Sequence, residues 1–143
     1  MNNQLASKAE AIRMLQERDI NPTQQRIVIA QLLFARPQHM SAEQVLMNVQ
    51  DSGVHVSKAT VYNTLSLFAE KGLVKEVIVD PTKVFYDSNI VPHHHFFNID
   101  NGQLSDIDDA SLQLQAMPQL PDGTQLDGVD VIIRVRGQQQ AQA

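Results

Sequence analysis

Between Asn21 and Tyr86 the hydrophobic period changes at Lys71-Gly72, and that change limits the folds open to the chain. Before it, apolar residues recur at helical spacing; after it they fall in short β-branched runs. Asn21-Pro22-Thr23 opens a helix, with a proline early and a polar cap beside it. Ile27, Val28, Ala30, Leu32 and Leu33 then make an apolar face ending near Arg36-Pro37. Ser41-Ala42-Glu43-Gln44 opens a second helix at the Ser-to-Gln spacing of a capping box, and it runs to Ser52-Gly53. A third begins at Ser57, with Ala59, Val61, Leu65, Phe68 and Ala69 expected inward, and closes on a cation and a glycine cap. Leu73 to Val79 and Val84 to Tyr86 read as strands joined at Asp80-Pro81-Thr82-Lys83. Three helices followed by a hairpin make the winged helix-turn-helix pattern.

The rest of the chain has a different character. Ser88 to Pro92 reads as a linker. His94 to Asp100 and Gln103 to Ile107 flank Asn101-Gly102, a strong hairpin signal. Met117 to Gly123 holds two prolines and resists regular structure, whereas Val129 to Val135 is a convincing strand. The Gln-rich end is expected to be disordered. Charge divides in the same place. Met1 to Lys75 carries eight Lys and Arg against six acids, and the remainder three against ten. A net charge of -5 therefore hides a mildly basic first half.

His93-His94-His95 lie mid-chain in a sequence without cysteine. On an extended segment successive side chains alternate faces, so His93 and His95 share one and His94 points away. Two imidazoles on a strand face are half of a metal site. Without thiolate, disulfide or thiol redox chemistry, the available ligands suit Fe(II), Mn(II), Zn(II) or Ni(II). No apolar run resembles a signal peptide or a membrane span, so a cytoplasmic protein is the expectation.

The segment from Ser57 to Asn63 is the candidate DNA reader. Ser57, Thr60, Tyr62 and Asn63 can donate to phosphates, touch thymine methyls or read adenine, while Lys58 supplies charge. Read from the residues alone, it is equally an amphipathic helix with a polar outer face, since helix-turn-helix shapes also serve as interaction modules.

Ala59-Thr60-Val61-Tyr62-Asn63-Thr64-Leu65, Ser41-Ala42-Glu43, Pro92-His93-His94-His95-Phe96-Phe97 and Gly128-Val129-Asp130-Val131-Ile132-Ile133-Arg134 occur in that family's order in a chain that resembles the ferric uptake regulator superfamily. The resemblance runs from about Asn21 to Arg136 and is nearest to the Irr-type iron response regulators. It implies an α+β architecture: a winged-helix DNA-binding domain over 1–87, a linker over 88–92, and a small α/β dimerisation and metal-sensing domain over 93–136. Residues 137–143 would be a disordered tail. It also implies a homodimer on a palindromic operator, acting mainly as a repressor of iron or haem homeostasis genes. Arg26, Ser57, Lys58, Thr60, Tyr62 and Asn63 would contact the duplex. One divalent ion per subunit, Fe(II) or Mn(II) with Zn(II) able to substitute, would be held by His39, Asp87, His93, His95 and Asp106. Such an ion ties the DNA-binding domain to the dimer domain and sets the spacing of the two recognition helices.

There are departures. Asn98 and Asn101 stand where many relatives carry the first cysteine pair of a structural zinc site, so no such zinc is expected. The segment from Ile107 to Val129 is proline-broken where many relatives have a helix, leaving dimer packing to Val129, Val131 and Ile133. Irr-type proteins are associated with haem, which makes His94 a candidate haem contact; no Cys-Pro motif is present, so an axial thiolate is impossible. As a lone residue, His94 reads as a solvent-facing or hydrogen-bonded imidazole. His55 reads as a phosphate neighbour or surface residue. The five ligands also resemble those of peroxide-sensing members, in which bound Fe(II) oxidises a coordinating histidine. Two readings of other classes remain: a small non-haem Fe(II) enzyme using Asp87, His93 and His95, and a structural-metal interaction module without DNA binding.

Overall fold

A computed structural model describes residues 5–138. The chain divides into two compact units, breaking between Ile90 and Val91.

The first unit begins with a helix the sequence reading did not anticipate, α1 (Lys8–Glu17). Ser7 caps it by accepting from the Glu10 amide, and Ala11 and Leu15 are its buried positions. Then follow α2 (Gln24–Leu33), β1 (His39–Ser41), α3 (Ala42–Asp51), α4 (Lys58–Glu70), β2 (Lys75–Asp80) and β3 (Lys83–Asp87). Each helix start is chemically marked. Thr23 caps α2, Ser57 caps α4, and Ser41 and Gln44 form both arms of a capping box on α3. These caps satisfy amides that have no partner within the helix, each contributing about 1 kcal/mol.

The core of this unit joins Leu15, Ile29, Leu33, Val45, Val49, Val61, Leu65 and Phe68, all with at most 1% exposure. On α4 the inward stripe is Val61, Thr64, Leu65 and Phe68. Ala59, expected inward, is exposed. It lies two residues before Val61, about 200° around the helix, whereas Thr64 falls on the stripe. The strands form an antiparallel sheet in the order β1-β3-β2, with His39 opposite Asp87 and Val77 opposite Phe85. The winged helix-turn-helix thus carries a third strand, β1, just before its capping box. Leu73 and Val74, read as strand, instead lie buried in the turn leading to β2.

Gly72 is where the period changes. Its φ of 76° is left-handed, closing α4 as the glycine cap predicts. Arg18, at the end of α1, donates through Nη1 to the carbonyls of Lys71 and Gly72 at 3.0 and 3.2 Å. A Cβ on Gly72 would come within 2.9 Å of that nitrogen. Gly72→Ala should therefore destabilise the first unit by about 1–2 kcal/mol, the usual cost of a left-handed non-glycine residue. Urea unfolding followed by circular dichroism tests this; an unchanged midpoint would refute it.

The second unit is a three-stranded sheet in the order β5-β4-β6: β4 (His95–Asn98), β5 (Leu104–Asp106) and β6 (Ile132–Val135). The hairpin between β4 and β5 is antiparallel, and β6 runs parallel to β4. Gly102 takes φ 73° in the turn. Asn98 Oδ1 accepts from the amides of Asp100 and Asn101, and Asn101 Oδ1 accepts from Gln103. The two asparagines thus shape the turn through Asx contacts. Between Ser111 and Ile132 no helix or strand forms; one 3-10 turn, Asp109–Ser111, precedes it. β6 is shorter than the run from Val129 read as strand, and Ile133 lies on its exposed side. Of the expected tail, Gly137 donates its amide to Asp100 Oδ2 at 2.7 Å; residues 139–143 lie outside the described region. Among the described residues, no helix is long and apolar enough to cross a membrane.

Candidate metal centre and DNA-reading face

The second unit builds a compact cluster from its strand period. His95 opens β4 and pairs across the hairpin with Asp106 at the end of β5. His93, two residues earlier, reaches the same face. Its ring centroid lies 4.4 Å from that of His95, and the two histidines are 7% and 1% exposed. Asp106 Oδ1 stands 3.4 Å from His93 Nε2 and 3.3 Å from His95 Nε2. His93, His95 and Asp106 therefore offer ligand atoms within 4.8 Å of one another. Ions bound at about 2.0–2.2 Å hold neighbouring ligand atoms roughly 3 to 3.5 Å apart, so the spacing fits a single divalent ion.

Orientation supports the same chemistry. His93 Nδ1 lies 2.6 Å from the carbonyl of Val91. A carbonyl only accepts, so Nδ1 carries the proton and, in the neutral ring, Nε2 carries a lone pair. In that neutral ring the lone pair faces a carboxylate oxygen, and a divalent cation placed between them would satisfy both. Imidazole tied at one nitrogen to a backbone carbonyl is the usual setting of a histidine that ligates metal through the other.

His94 takes the opposite face, as the alternation predicts. Its Nδ1 accepts from the Val131 amide at 3.0 Å. The proton of the neutral ring then sits on Nε2, so ligation of haem iron there would require a change of tautomer and the loss of that bond. The geometry gives haem at His94 no support. The hydrogen-bonded reading of this imidazole is the one the structure bears out.

In the first unit His39 and Asp87 are cross-strand partners on β1 and β3. Asp87 is 1% exposed and also accepts from the Asn89 amide at 2.9 Å. The His39 ring meets Phe85 edge-on, with centroids 6.3 Å apart. Neither the short strand β1 nor its register on β3 is visible in the sequence.

The candidate DNA-contacting residues fall into two groups. Arg26, Thr60 and Asn63 line a cavity of about 280 Å³ together with Thr23, Gln25 and Thr64. Arg26 Nη1 is anchored at 2.9 Å to the Asn21 carbonyl. The Ser57 hydroxyl donates to Thr60 Oγ1 at 2.9 Å and accepts from the Thr60 amide, so both residues are engaged at the cap of α4. Lys58 and Tyr62 form the second group, with the Lys58 ammonium 5.7 Å from the centre of the Tyr62 ring. The Tyr62 hydroxyl donates to Glu43 Oε1 on α3, a residue the sequence reading used only to open that helix. The contact holds the Glu43 carboxyl below its ordinary range, first through the Tyr62 hydroxyl. It raises the Tyr62 phenol for the reciprocal reason, the proton being held by a carboxylate.

The family model described as "Ferric uptake regulator family" matches residues 17–133. The chain belongs to this family. The peroxide-responsive repressor PerR of Staphylococcus aureus is similar, 29% identical over 97 residues, which is 68% of this chain. The match spans 66% of that relative's length, just under two thirds. Among solved structures, the ferric uptake regulator of Pseudomonas aeruginosa, described with manganese, has a TM-score of 0.68 at 25% identity, covering 90% of this chain and 98% of the other. The Vibrio cholerae ferric uptake regulator also reaches 0.68, at 21% identity, over 88% and 98% of the two chains, a likeness of fold.

Proposed function

We propose that this family member is a metal-responsive, homodimeric DNA-binding transcription regulator of the cytoplasm, acting mainly as a repressor. The observation that carries the reading is the buried pair His93 and His95 converging on Asp106. In our reading His39 and Asp87 complete the ligand set. Mn(II) or Fe(II) suits the imidazole and carboxylate donors, with Zn(II) able to substitute; the manganese of the Pseudomonas aeruginosa structure supports that choice. Arg26, Ser57, Lys58, Thr60, Tyr62 and Asn63 are proposed to meet the duplex, and the basic first half favours that role. Control of iron or haem homeostasis genes in the Irr manner is the narrower proposal, resting on the sequence resemblance.

Selection from a random duplex pool, with and without Mn(II), tests the reading. Metal-dependent enrichment of a palindromic site at moderate salt is expected. No metal-responsive duplex binding would leave the structural-metal module as the better account. Similarity to PerR favours a second reading, peroxide sensing through bound Fe(II). Treating the Fe(II)-loaded protein with peroxide and mapping peptide masses decides it; no added oxygen at His39 or His93 removes that reading.

A further inference from the structure

The geometry points to Glu43 as a positioning residue that sets what Tyr62 can read on DNA. The inference rests on the proposed role of Tyr62 at the duplex. A phenol hydroxyl has one proton to give, and here it goes to Glu43 Oε1. Tyr62 therefore presents outward an oxygen lone pair and a ring edge, not a donor. Phosphate oxygens only accept, so a tyrosine held this way is a poor phosphate contact. It suits a base edge instead: an amino group of adenine or cytosine, or the methyl of thymine.

The neighbours reinforce this orientation. Glu43 sits in the first turn of α3, where the helix dipole favours a carboxylate. Lys58, one turn before Tyr62 on α4, places its ammonium 5.7 Å from the ring centre. The ring is thus held at its face by a cation and at its hydroxyl by an anion. The Glu43 carboxylate, on the same exposed side, also repels phosphate that approaches in the wrong register. Its two effects are separable: the hydrogen bond directs Tyr62, and the charge suppresses indiscriminate binding.

The test is duplex selection with the full-length Mn(II)-loaded protein, the variants Glu43→Gln, Glu43→Ala and Tyr62→Phe, and the double variant combining Glu43→Ala with Tyr62→Phe. Thermal melts confirm that each is folded; Glu43 is exposed, and the half-buried Tyr62 keeps its ring in the phenylalanine variant. Gln keeps an acceptor for Tyr62 but removes the charge. E43Q should therefore retain the wild-type base preferences while binding unselected duplex roughly 3- to 10-fold more tightly at low salt. E43A should lose preference at particular base pairs, by about 10-fold or more against the wrong base. Tyr62→Phe should lose it at the same pairs, and the double variant should lose no more. Unchanged preferences in E43A, or additive losses in the double variant, would overturn the proposal. If wild type enriches no sequence at all, the DNA reading fails and this inference falls with it.

Discussion

Replacing His93 with alanine should lower Mn(II) affinity at least about a hundredfold while leaving the helical content unchanged. The reasoning starts from the ring's two nitrogens. One is tied to the Val91 carbonyl and the other faces Asp106 beside His95. Alanine removes a ligand already held in orientation, so no other group inherits its place. Even residues that merely orient metal ligands are worth about 10- to 100-fold in affinity, and a direct ligand should exceed them. His93 lies outside β4 and outside the first unit's core, so the winged helix should keep its stability. Competition with a chelating dye measures the affinity, and circular dichroism the fold. Wild-type affinity in the variant would mean that the imidazole pair is a packing feature. The variant should also lose the metal response of duplex binding while keeping its metal-free DNA affinity, because Tyr62 and its neighbours are untouched.

The parts of this protein that were legible in the sequence share one property: their cause is local. Thr23, Ser41 with Gln44, and Ser57 announce helices because a cap acts within three residues. Gly72 and Gly102 announce stops and turns because their φ is a property of one residue. The facing of His93 and His95, opposite to His94, follows from a period of two. The limits follow from the same rule. β1 has three residues and exists through its pairing with β3, which lies more than forty positions later. Nothing near His39 encodes that. α1 offers only Ala11 and Leu15 as buried positions, too sparse a stripe to stand out beside the signal at Pro22. Ala59 was misplaced because small apolar residues carry little facing information, while Thr64 was overlooked because its hydroxyl hid a place on the core stripe.

The candidate site divides similarly. Ligand types and the absence of thiolate were readable from composition, and the positions His39, Asp87 and Asp106 came through the family resemblance. The geometry supplies what neither offers. It gives the tautomer of His93 and the use of His94 as an acceptor for Val131, 37 residues away. It also gives the contact between Glu43 and Tyr62 across two helices. Each depends on tertiary packing, so each lies beyond a one-dimensional reading.

Phe68→Ala should have the largest effect on stability and will separate folding from recognition. Phe68 has 0% exposure and is among the largest fully buried side chains of the chain. It closes the inward stripe of α4, and its carbonyl accepts from the Leu73 amide at 2.8 Å, where the chain turns toward the wing. Loss of a buried phenylalanine costs about 3–5 kcal/mol, part transfer and part cavity. For a unit of this size each kcal/mol corresponds to roughly 4–8 °C, so melting should fall by at least about 12 °C. Phe68 presents nothing to solvent, so duplex binding should return to the wild-type level once the variant is cooled below its new transition. Tyr62→Phe should behave in the opposite way, keeping the melting temperature while losing base preference at every temperature. Calorimetry and fluorescence anisotropy on the same samples measure both. If F68A stays weak in DNA binding even when folded, packing beneath α4 sets the reading face itself, and the exposed side chains are not its sole determinants.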